Sequence, residues 1–183
     1  MITLIDTQQS NINSVANMLK RAGVPARIAA SPADVLTAEK LILPGVGHFA
    51  SVMKWMQTSG YRAALDEAVK IKKTPILGIC LGMQLMAKHS EEGDAEGFGW
   101  VDATVREFKN IEPLPVPHMG WNDVSFTPGL FSEGYAEQPR FYFVHSYYVT
   151  CANPADVLGI THYGHDFVSA FQCGNVVGAQ FHP

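Results

Sequence analysis

The sequence predicts an α/β fold: a three-layer sandwich with a central, mostly parallel sheet and extra β-strands in its second half. Through the first half, short apolar runs alternate with amphipathic helical segments, which is typical of parallel βαβ units. Beyond residue 98 the pattern changes to extended segments separated by Pro and Gly. The 183 residues, 47% apolar and 16% charged, are enough to bury a core without disulfides or structural metal.

Four strands are predicted in the first half, at residues 2–5, 27–29, 40–43 and 75–79. Helices are predicted between and after them, at residues 12–22, 49–56, 61–69 and 82–89. Asn11 can cap the first helix, and Gly23 can end it. The inner face of that helix is formed by Val15, Met18, Leu19 and Ala22.

The second half is predicted to be rich in strands. Candidates lie at residues 100–105, 122–126, 141–149, 157–162, 167–173 and 176–181. Gly174 and Asn175 form a two-residue hairpin signal, so the last two strands are expected to pair antiparallel. The acidic stretch 90–97 is expected to be a solvated loop, because such a composition cannot bury itself.

The overall composition excludes several classes of protein. With 13 Lys and Arg against 17 Asp and Glu, the chain lacks the basic footprint of a nucleic-acid-binding protein. No run approaches the ~20 apolar residues of a membrane span, and the N-terminus has no secretion signal. We therefore expect a cytoplasmic protein with a single domain over residues 1–183 and no membrane or nucleic-acid partner.

No metal or cofactor site is predicted. Three cysteines at unrelated spacings exclude a disulfide framework and a paired-cysteine zinc site. His162 and His165 could offer two metal ligands but lack a third. Residues 45–50 match a dinucleotide-binding pattern, but they follow the third strand, and no acidic residue ends the next one.

The most informative segment places Cys80 at a strand-to-helix turn between Gly78 and Gly82. Such a turn is typical of a nucleophile elbow, in which flanking glycines permit close backbone approach around a strained, exposed residue. The helix N-terminus that follows is expected to lower the thiol pKa. The alternative is a small buried hydrophobe that happens to be cysteine, and the pattern alone leaves both open.

A thiol nucleophile needs a base, and His182 follows the last predicted strand, where such folds supply one. The turn at residues 44–47 ends a neighbouring strand, and its glycine-freed N–H groups could stabilise an oxyanion. Each feature also has an ordinary structural explanation, as a histidine without a catalytic role or as a simple turn.

Taken together, residues 44–47, 78–84 and 180–183 resemble the motifs of the triad-type, class I glutamine amidotransferases. Residues 117–122 and 141–147 are similar to those of one branch, the glutaminase subunits of imidazole glycerol phosphate synthase in histidine biosynthesis. The resemblance covers the whole chain. It implies hydrolysis of glutamine to glutamate, with ammonia passed to a β/α-barrel synthase partner and no cofactor.

The resemblance also implies roles for individual residues. Cys80 would be the nucleophile and His182 the base, with the oxyanion hole formed by the backbone of Val46, Gly47 and Leu81. Glutamine would be held by Gln84, Ser146 and Tyr147. The synthase partner would be faced by His118, Met119, Trp121 and Asn122. The family's third triad member, a glutamate two residues after the histidine, is absent from the sequence given, so the domain is expected to be cut short after Pro183.

Two alternatives stay open. A paralogous subunit would keep the chemistry but supply ammonia for amination of a surface-polysaccharide sugar precursor, and the unusual loop at residues 6–11 favours it. A non-catalytic regulatory or scaffolding relative would keep the fold and the partner surface, and the missing third triad member favours it.

Overall fold

The structure is a computed structural model that describes residues 1–8, 11–135 and 137–182. Its helices are α1 (Ile12–Arg21), α2 (Pro32–Leu36), α3 (Phe49–Thr58), α4 (Tyr61–Asp66) and α5 (Leu81–Leu85). A π-helical turn, Glu67–Ile71, continues α4, and a 3-10 turn covers Pro154–Asp156.

The strands fall into two groups along the chain. The first seven are β1 (Ile2–Leu4), β2 (Ala26–Ile28), β3 (Lys40–Gly45), β4 (Ile76–Cys80), β5 (His89–Ser90), β6 (Ala95–Glu96) and β7 (Ala103–Glu107). The others are β8 (His118–Asp123), β9 (Ser125–Phe126), β10 (Arg140–His145), β11 (Tyr147–Cys151), β12 (Val157–Tyr163), β13 (His165–Cys173) and β14 (Val176–Ala179).

Within the described residues, the main sheet has the strand order β2-β1-β3-β4-β14-β13-β11-β7-β5-β6, with β12 and β9 attached beside β13. Its first five strands are parallel. From β14 onward the pairing is mainly antiparallel. A separate two-stranded sheet joins β8 and β10. The parallel part carries the candidate site, because its carboxyl ends meet at one edge.

Helices cover both faces of the parallel strands, which confirms the predicted three layers. On one face, Ile12 and Val15 of α1 pack against Leu4, Ile42 and Ile79. On the other face, α2 to α5 pack against a larger core. The apolar positions predicted for the helix that begins at Phe49 are all buried.

Helix α1 differs in detail from its prediction. Asn11 occupies the N-cap position but makes no side-chain capping hydrogen bond, because its backbone is not extended there (φ −78°, ψ 58°). Val15 is buried, Met18 and Leu19 are half-buried and Ala22 is exposed. The helix therefore rests on the sheet through its N-terminal half.

The helix predicted to reach His89 ends at Leu85. The N–H groups of Phe98, Trp100 and Gly99 donate to the carbonyls of Leu85, Met86 and Ala87, at 2.8 to 3.0 Å. These carbonyls therefore accept from a distant loop and not from the N–H groups four residues further on that a continuing helix would supply. The same bonds explain why the strand predicted from residue 100 begins at Ala103.

The predicted strand at residues 141–149 is two strands, β10 and β11, which belong to different sheets. The break is at Ser146, where His145 Nδ1 bonds to the carbonyl of Tyr147 at 2.7 Å. Likewise, the strand predicted at residues 122–126 divides into β8, which pairs with β10, and β9, which pairs with β12. The hairpin predicted at residues 174–175 is confirmed by the antiparallel pairing of β13 and β14.

Across the described residues, no helix has both the length and the apolar character that crossing a membrane requires.

Candidate active site

The predicted strand-to-helix turn at Cys80 is confirmed, but the side chain of Cys80 is buried, whereas such an elbow was expected to expose it. Cys80 is the last residue of β4, α5 begins at the next residue, and the φ of Cys80 is 55°, a strained value for a side chain of this kind. Gly82 lies so close to β3 that a Cβ there would fall 1.7 Å from the carbonyl oxygen of Leu43. At Gly78, a Cβ would meet the Gly82 carbonyl at 2.6 Å. Glycine at both positions therefore lets strand, turn and helix pack together.

A cavity of about 390 Å³ lies directly above the elbow. Eight of the residues that line it were predicted from the sequence: Val46, Gly47, Cys80, Leu81, Gln84, Ser146, Tyr147 and His182. They come from the loop after β3, from the end of β4 and the helix α5 that follows it, from the junction of β10 and β11, and from the residues after β14. The tertiary structure thus brings the candidate nucleophile, base, oxyanion loop and substrate-binding residues together in one cavity. Their individual roles stay predictions.

The thiol does not have the lowered pKa expected at a helix N-terminus. Cys80 is only 7% exposed, and burial raises the pKa of its thiol to about 11. Hydrogen bonds from the Leu81 backbone and from Gln180 Nε2, which lies 3.6 Å from Sγ, oppose this shift but are outweighed by burial. Helix α5 spans only Leu81–Leu85. The expectation was therefore wrong, and the resting thiol is protonated at neutral pH.

His182 is placed by its backbone. Its N–H donates to the carbonyl of Tyr142 at 2.9 Å, which ties this end of the chain to the two-stranded sheet. Within the described part of the chain, its buried Nε2 has no hydrogen-bond partner. Burial lowers the pKa of His182, so the imidazole is neutral and able to accept a proton. Pro183, the end of the predicted motif, lies outside the described residues.

The loop predicted to form an oxyanion hole connects β3 to α3. Gly45 pairs with Cys80 in the register of β3 and β4, so the loop starts beside the thiol. Gly47 has a φ of 102°, which only glycine adopts readily, and Val46 is 38% exposed. A second cavity of about 650 Å³ shares Val46 and His182 with the first one. The loop therefore lies between the two cavities.

The predicted partner residues do not share one environment. Met119 and Trp121, both on β8, are 61% and 66% exposed, and the strand register places them opposite Val144 and Tyr142. Those four side chains share one side of the two-stranded sheet, which we call the β8–β10 face. Asn122 points away from this face and is half-buried.

His118 needs a correction, because its side chain is only 3% exposed and cannot belong to a free surface. Its ring stacks on that of Tyr163 with centroids 4.0 Å apart. Its Nδ1 lies 3.0 Å from Nε2 of His145. Alternation along β8 accounts for this: His118 and the exposed Met119 point to opposite sides.

Sequence reasoning missed three polar residues of the site, Glu92, His145 and Gln180. Glu92 belongs to the acidic stretch that was expected to be a solvated loop, yet it lines the cavity and its Oε2 accepts a hydrogen bond from the Phe49 N–H at 2.7 Å. Gln180 is completely buried. Its place two residues before His182, in the same motif, was the one available signal, and that signal assigned Gln180 no role. Among the described residues, no three His, Cys, Asp or Glu side chains are grouped so that they could hold a metal ion.

Comparison with known proteins agrees with this geometry. The sequence model of the family "Glutamine amidotransferase class-I" matches residues 3–183. A Pseudomonas aeruginosa protein named imidazole glycerol phosphate synthase subunit HisH 2 is 47% identical, over 100% of this chain and 91% of its own length. A Bdellovibrio bacteriovorus protein named imidazole glycerol phosphate synthase subunit HisH is 44% identical, over 100% of this chain and 92% of its own length.

Solved structures share the fold at low sequence identity. A glutamine amidotransferase crystal structure aligns with a TM-score of 0.78 at 18% identity, covering 100% of this chain and 90% of the other. The glutaminase domain of Trypanosoma brucei CTPS with bound acivicin aligns with a TM-score of 0.65 at 17% identity, covering 100% of this chain and 85% of the other. With the family match over nearly every residue and relatives above 40% identity, this chain belongs to the class-I glutamine amidotransferases.

Proposed function

We propose that this chain is the glutaminase subunit of an imidazole glycerol phosphate synthase: it hydrolyses L-glutamine to glutamate and delivers the ammonia to a β/α-barrel synthase subunit in the cytoplasm. One observation carries the proposal. A thiol on a strained elbow, a glycine-containing loop and a buried histidine nitrogen that has no hydrogen-bond partner among the described residues converge on one cavity. The names of the relatives support the choice of synthase.

In the first half of the reaction, His182 Nε2 takes the proton of the Cys80 thiol as Sγ attacks the side-chain carbonyl carbon of glutamine. The C=O bond becomes a C–O⁻ bond, which N–H groups of Val46, Gly47 and Leu81 stabilise. The C–N bond then breaks, and the imidazolium of His182 protonates the departing nitrogen, so that ammonia leaves and a thioester remains.

In the second half, His182 accepts a proton from water as the water oxygen attacks the thioester carbonyl. The C–S bond breaks, glutamate forms and the proton returns to Cys80. Since burial raises the pKa of Cys80 to about 11, attack depends on the proton acceptor. The neutral imidazole of His182 is suited to that task.

The cavity also has groups that suit an amino-acid substrate. Gln84, Ser146 and Tyr147 lie on its wall, and Glu92 provides a carboxylate there. A carboxylate is complementary to the α-ammonium of glutamine. We therefore assign Glu92 to substrate binding, alongside the three residues that the family resemblance implies.

The β8–β10 face provides the surface for the synthase subunit. Exposed apolar side chains gathered on one face are typical of a protein interface. Val144 connects this face to the site, because it lies opposite Met119 in the register and also lines the cavity. A partner docked there would close over the cavity mouth and receive ammonia before water protonates it.

Two experiments test this proposal. Glutamate release from glutamine is measured for the chain alone and with a β/α-barrel synthase subunit and its acceptor substrate, with Cys80→Ala as the inactive reference. We expect slow hydrolysis by the chain alone and at least about tenfold faster hydrolysis in the complex, equivalent to ~1.4 kcal/mol of barrier. Absence of glutamate in both conditions would overturn the enzyme assignment.

The acceptor is tested in a histidine auxotroph that lacks its own glutaminase subunit. Growth without histidine on expression of this chain is the expected result. An active glutaminase that does not restore growth would contradict the assignment to imidazole glycerol phosphate synthase and favour an acceptor in another pathway.

A further inference from the structure

Two buried histidines connect strand β8 to the start of β11. Asn122 Nδ2 lies 3.1 Å from His118 Nε2, and His118 Nδ1 lies 3.0 Å from His145 Nε2. His145 Nδ1 lies 2.7 Å from the carbonyl oxygen of Tyr147. These contacts form an unbroken hydrogen-bonded row beneath the β8–β10 face. His118 and His145 are also paired residues of the sheet register.

The direction of every bond in this row is fixed at both ends. The Tyr147 carbonyl can only accept, so His145 carries its proton on Nδ1 and offers Nε2 as an acceptor. Asn122 Nδ2 also donates to the carbonyl of His162 at 3.0 Å, which identifies that group as the amide NH2. His118 Nε2 is therefore an acceptor, and Nδ1–H of His118 donates to His145. The two ends require the same pair of neutral tautomers.

The row continues from the Tyr147 carbonyl to the thiol. Gln84 Nε2 donates to that carbonyl and to Gln180 Oε1, both at 2.9 Å. Because the carbonyl fixes Gln84 Nε2 as a donor, Gln180 must present its oxygen to Gln84. The NH2 group of Gln180 then faces Cys80 Sγ at 3.6 Å. A donor aimed at sulfur favours the thiolate.

The electrostatic surroundings agree with this arrangement. Burial lowers the pKa of His118 to about 4 and that of His145 to about 3, so both rings are neutral at neutral pH. The ionisable side chains that line the cavity together with the thiol are Glu92, His145, Tyr147 and His182. Besides the Tyr147 carbonyl, His145 interacts electrostatically with His118 and His182.

We propose that His118 and His145 are positioning residues for the glutaminase reaction: they hold the Tyr147 carbonyl in the place from which Gln84 and Gln180 present a hydrogen-bond donor to Cys80. The effect on catalysis rests on the proposed function, whereas the effect of these hydrogen bonds on the Cys80 thiol does not. An unbroken series of hydrogen bonds therefore connects β8, which carries Met119 and Trp121, to Cys80.

The physical reason lies in the break between β10 and β11. Tyr147 begins a strand of the main sheet, whereas His145 ends a strand of the two-stranded sheet. The bond from His145 Nδ1 joins the two sheets across Ser146. Without this bond, the Tyr147 carbonyl can shift, and Gln84 Nε2 loses the acceptor that fixes its orientation. Gln180 can then rotate its oxygen toward Cys80 Sγ, which disfavours the thiolate.

The test compares three variants by the pH dependence of Cys80 alkylation with iodoacetamide, followed by mass spectrometry of the Cys80 peptide. His145→Leu removes both bonds of the ring. His145→Asn keeps an N–H donor at the position of Nδ1 and serves as the conservative rescue. Thr161→Val is the matched control, since it removes a buried hydroxyl, bonded to Ser169 at 2.9 Å, that lies outside the row.

We expect His145→Leu to slow alkylation about tenfold near neutral pH and to shift the pH profile upward, because a hydrogen bond to a charged group is lost. His145→Asn restores most of the rate, and Thr161→Val leaves the profile unchanged while lowering the thermal midpoint. In the glutaminase assay, kcat should be lowest for His145→Leu, largely restored in His145→Asn and unchanged in Thr161→Val, whereas KM should differ little among the three variants. A folded His145→Leu protein with the unaltered profile would overturn the proposal.

If His145→Leu does not fold, His118→Phe takes its place, because a phenyl ring keeps the stack on Tyr163 and removes the donor to His145. A smaller shift in the same direction is expected, and an unchanged profile would overturn the proposal. Alkylation needs no glutamine. A chain without glutaminase activity but with the expected alkylation shifts would refute the proposed function and leave the positioning role standing.

Discussion

The backbone N–H of Phe49 donates a 2.7 Å hydrogen bond to Oε2 of Glu92, across 43 residues of sequence. Phe49 begins α3 immediately after the candidate oxyanion loop, and Glu92 lines the cavity. The bond thus holds the carboxylate at the cavity wall and attaches the loop to it.

Glu92→Gln is expected to weaken glutamine binding. The amide keeps the size of the side chain but removes the charge that would pair with the substrate ammonium, so KM should rise about tenfold. Because Glu92 also raises the pKa of Cys80, alkylation of the free protein should become faster. Glu91→Gln is the control, since Glu91 bonds to the Glu107 backbone outside the cavity. Unchanged KM and alkylation would remove Glu92 from the site.

Cys80 is expected to be the thiol on which activity depends. Cys80→Ala should abolish glutamate formation, whereas Cys151→Ser and Cys173→Ser should retain it. Since the pKa of Cys80 is about 11, its alkylation rate in the free protein should rise about tenfold per pH unit between about pH 8 and pH 10. A rate that is already constant at pH 8 would show that the thiol pKa is depressed instead.

Trp121→Ala is expected to weaken binding of the synthase subunit by about 2 kcal/mol, or roughly 30-fold in Kd, as for a central aromatic anchor. The variant should keep the thermal unfolding midpoint of the unsubstituted protein, because Trp121 is 66% exposed. Leu130→Ala is the matched control: Leu130 is 62% exposed but lies between β9 and β10, away from the β8–β10 face. Equal loss of affinity in both variants, measured by calorimetry, would argue against that face.

Stability is expected to fall as the pH drops below about 6.5. Burial lowers the pKa of His118 to about 4 and of His145 to about 3 from the ordinary 6.5, so the unfolded chain binds protons first. This contribution is complete above pH 6.5 and decreases as the pH falls toward the folded-state values. Urea unfolding between about pH 7.5 and pH 5 measures it, above the range in which carboxylates titrate. His118→Phe should flatten the slope, and an identical slope would contradict the buried-histidine explanation.

Local signals in the sequence determined the elbow, the hairpin and the alternation of strands and helices. Gly78 and Gly82 flank Cys80, and Gly174 lies between β13 and β14. Residues adjacent in the sequence therefore specify both turns. The buried face of α3 follows from its apolar spacing, because helix periodicity depends on the segment itself. His182 could be predicted as the candidate base because its place after the last strand is visible in the sequence.

Only the tertiary structure decided which distant groups meet. The helix after Cys80 stops at Leu85 because a loop beyond it takes its carbonyls. Burial, which no short window of sequence reveals, reverses the expected direction of the Cys80 pKa shift. Glu92 reaches the site from a stretch without a recognisable pattern, and Gln180 from a motif that assigned it no role. His118 turns inward to His145. Such contacts depend on how strands pair across the sheet, so they exist only once the chain has folded.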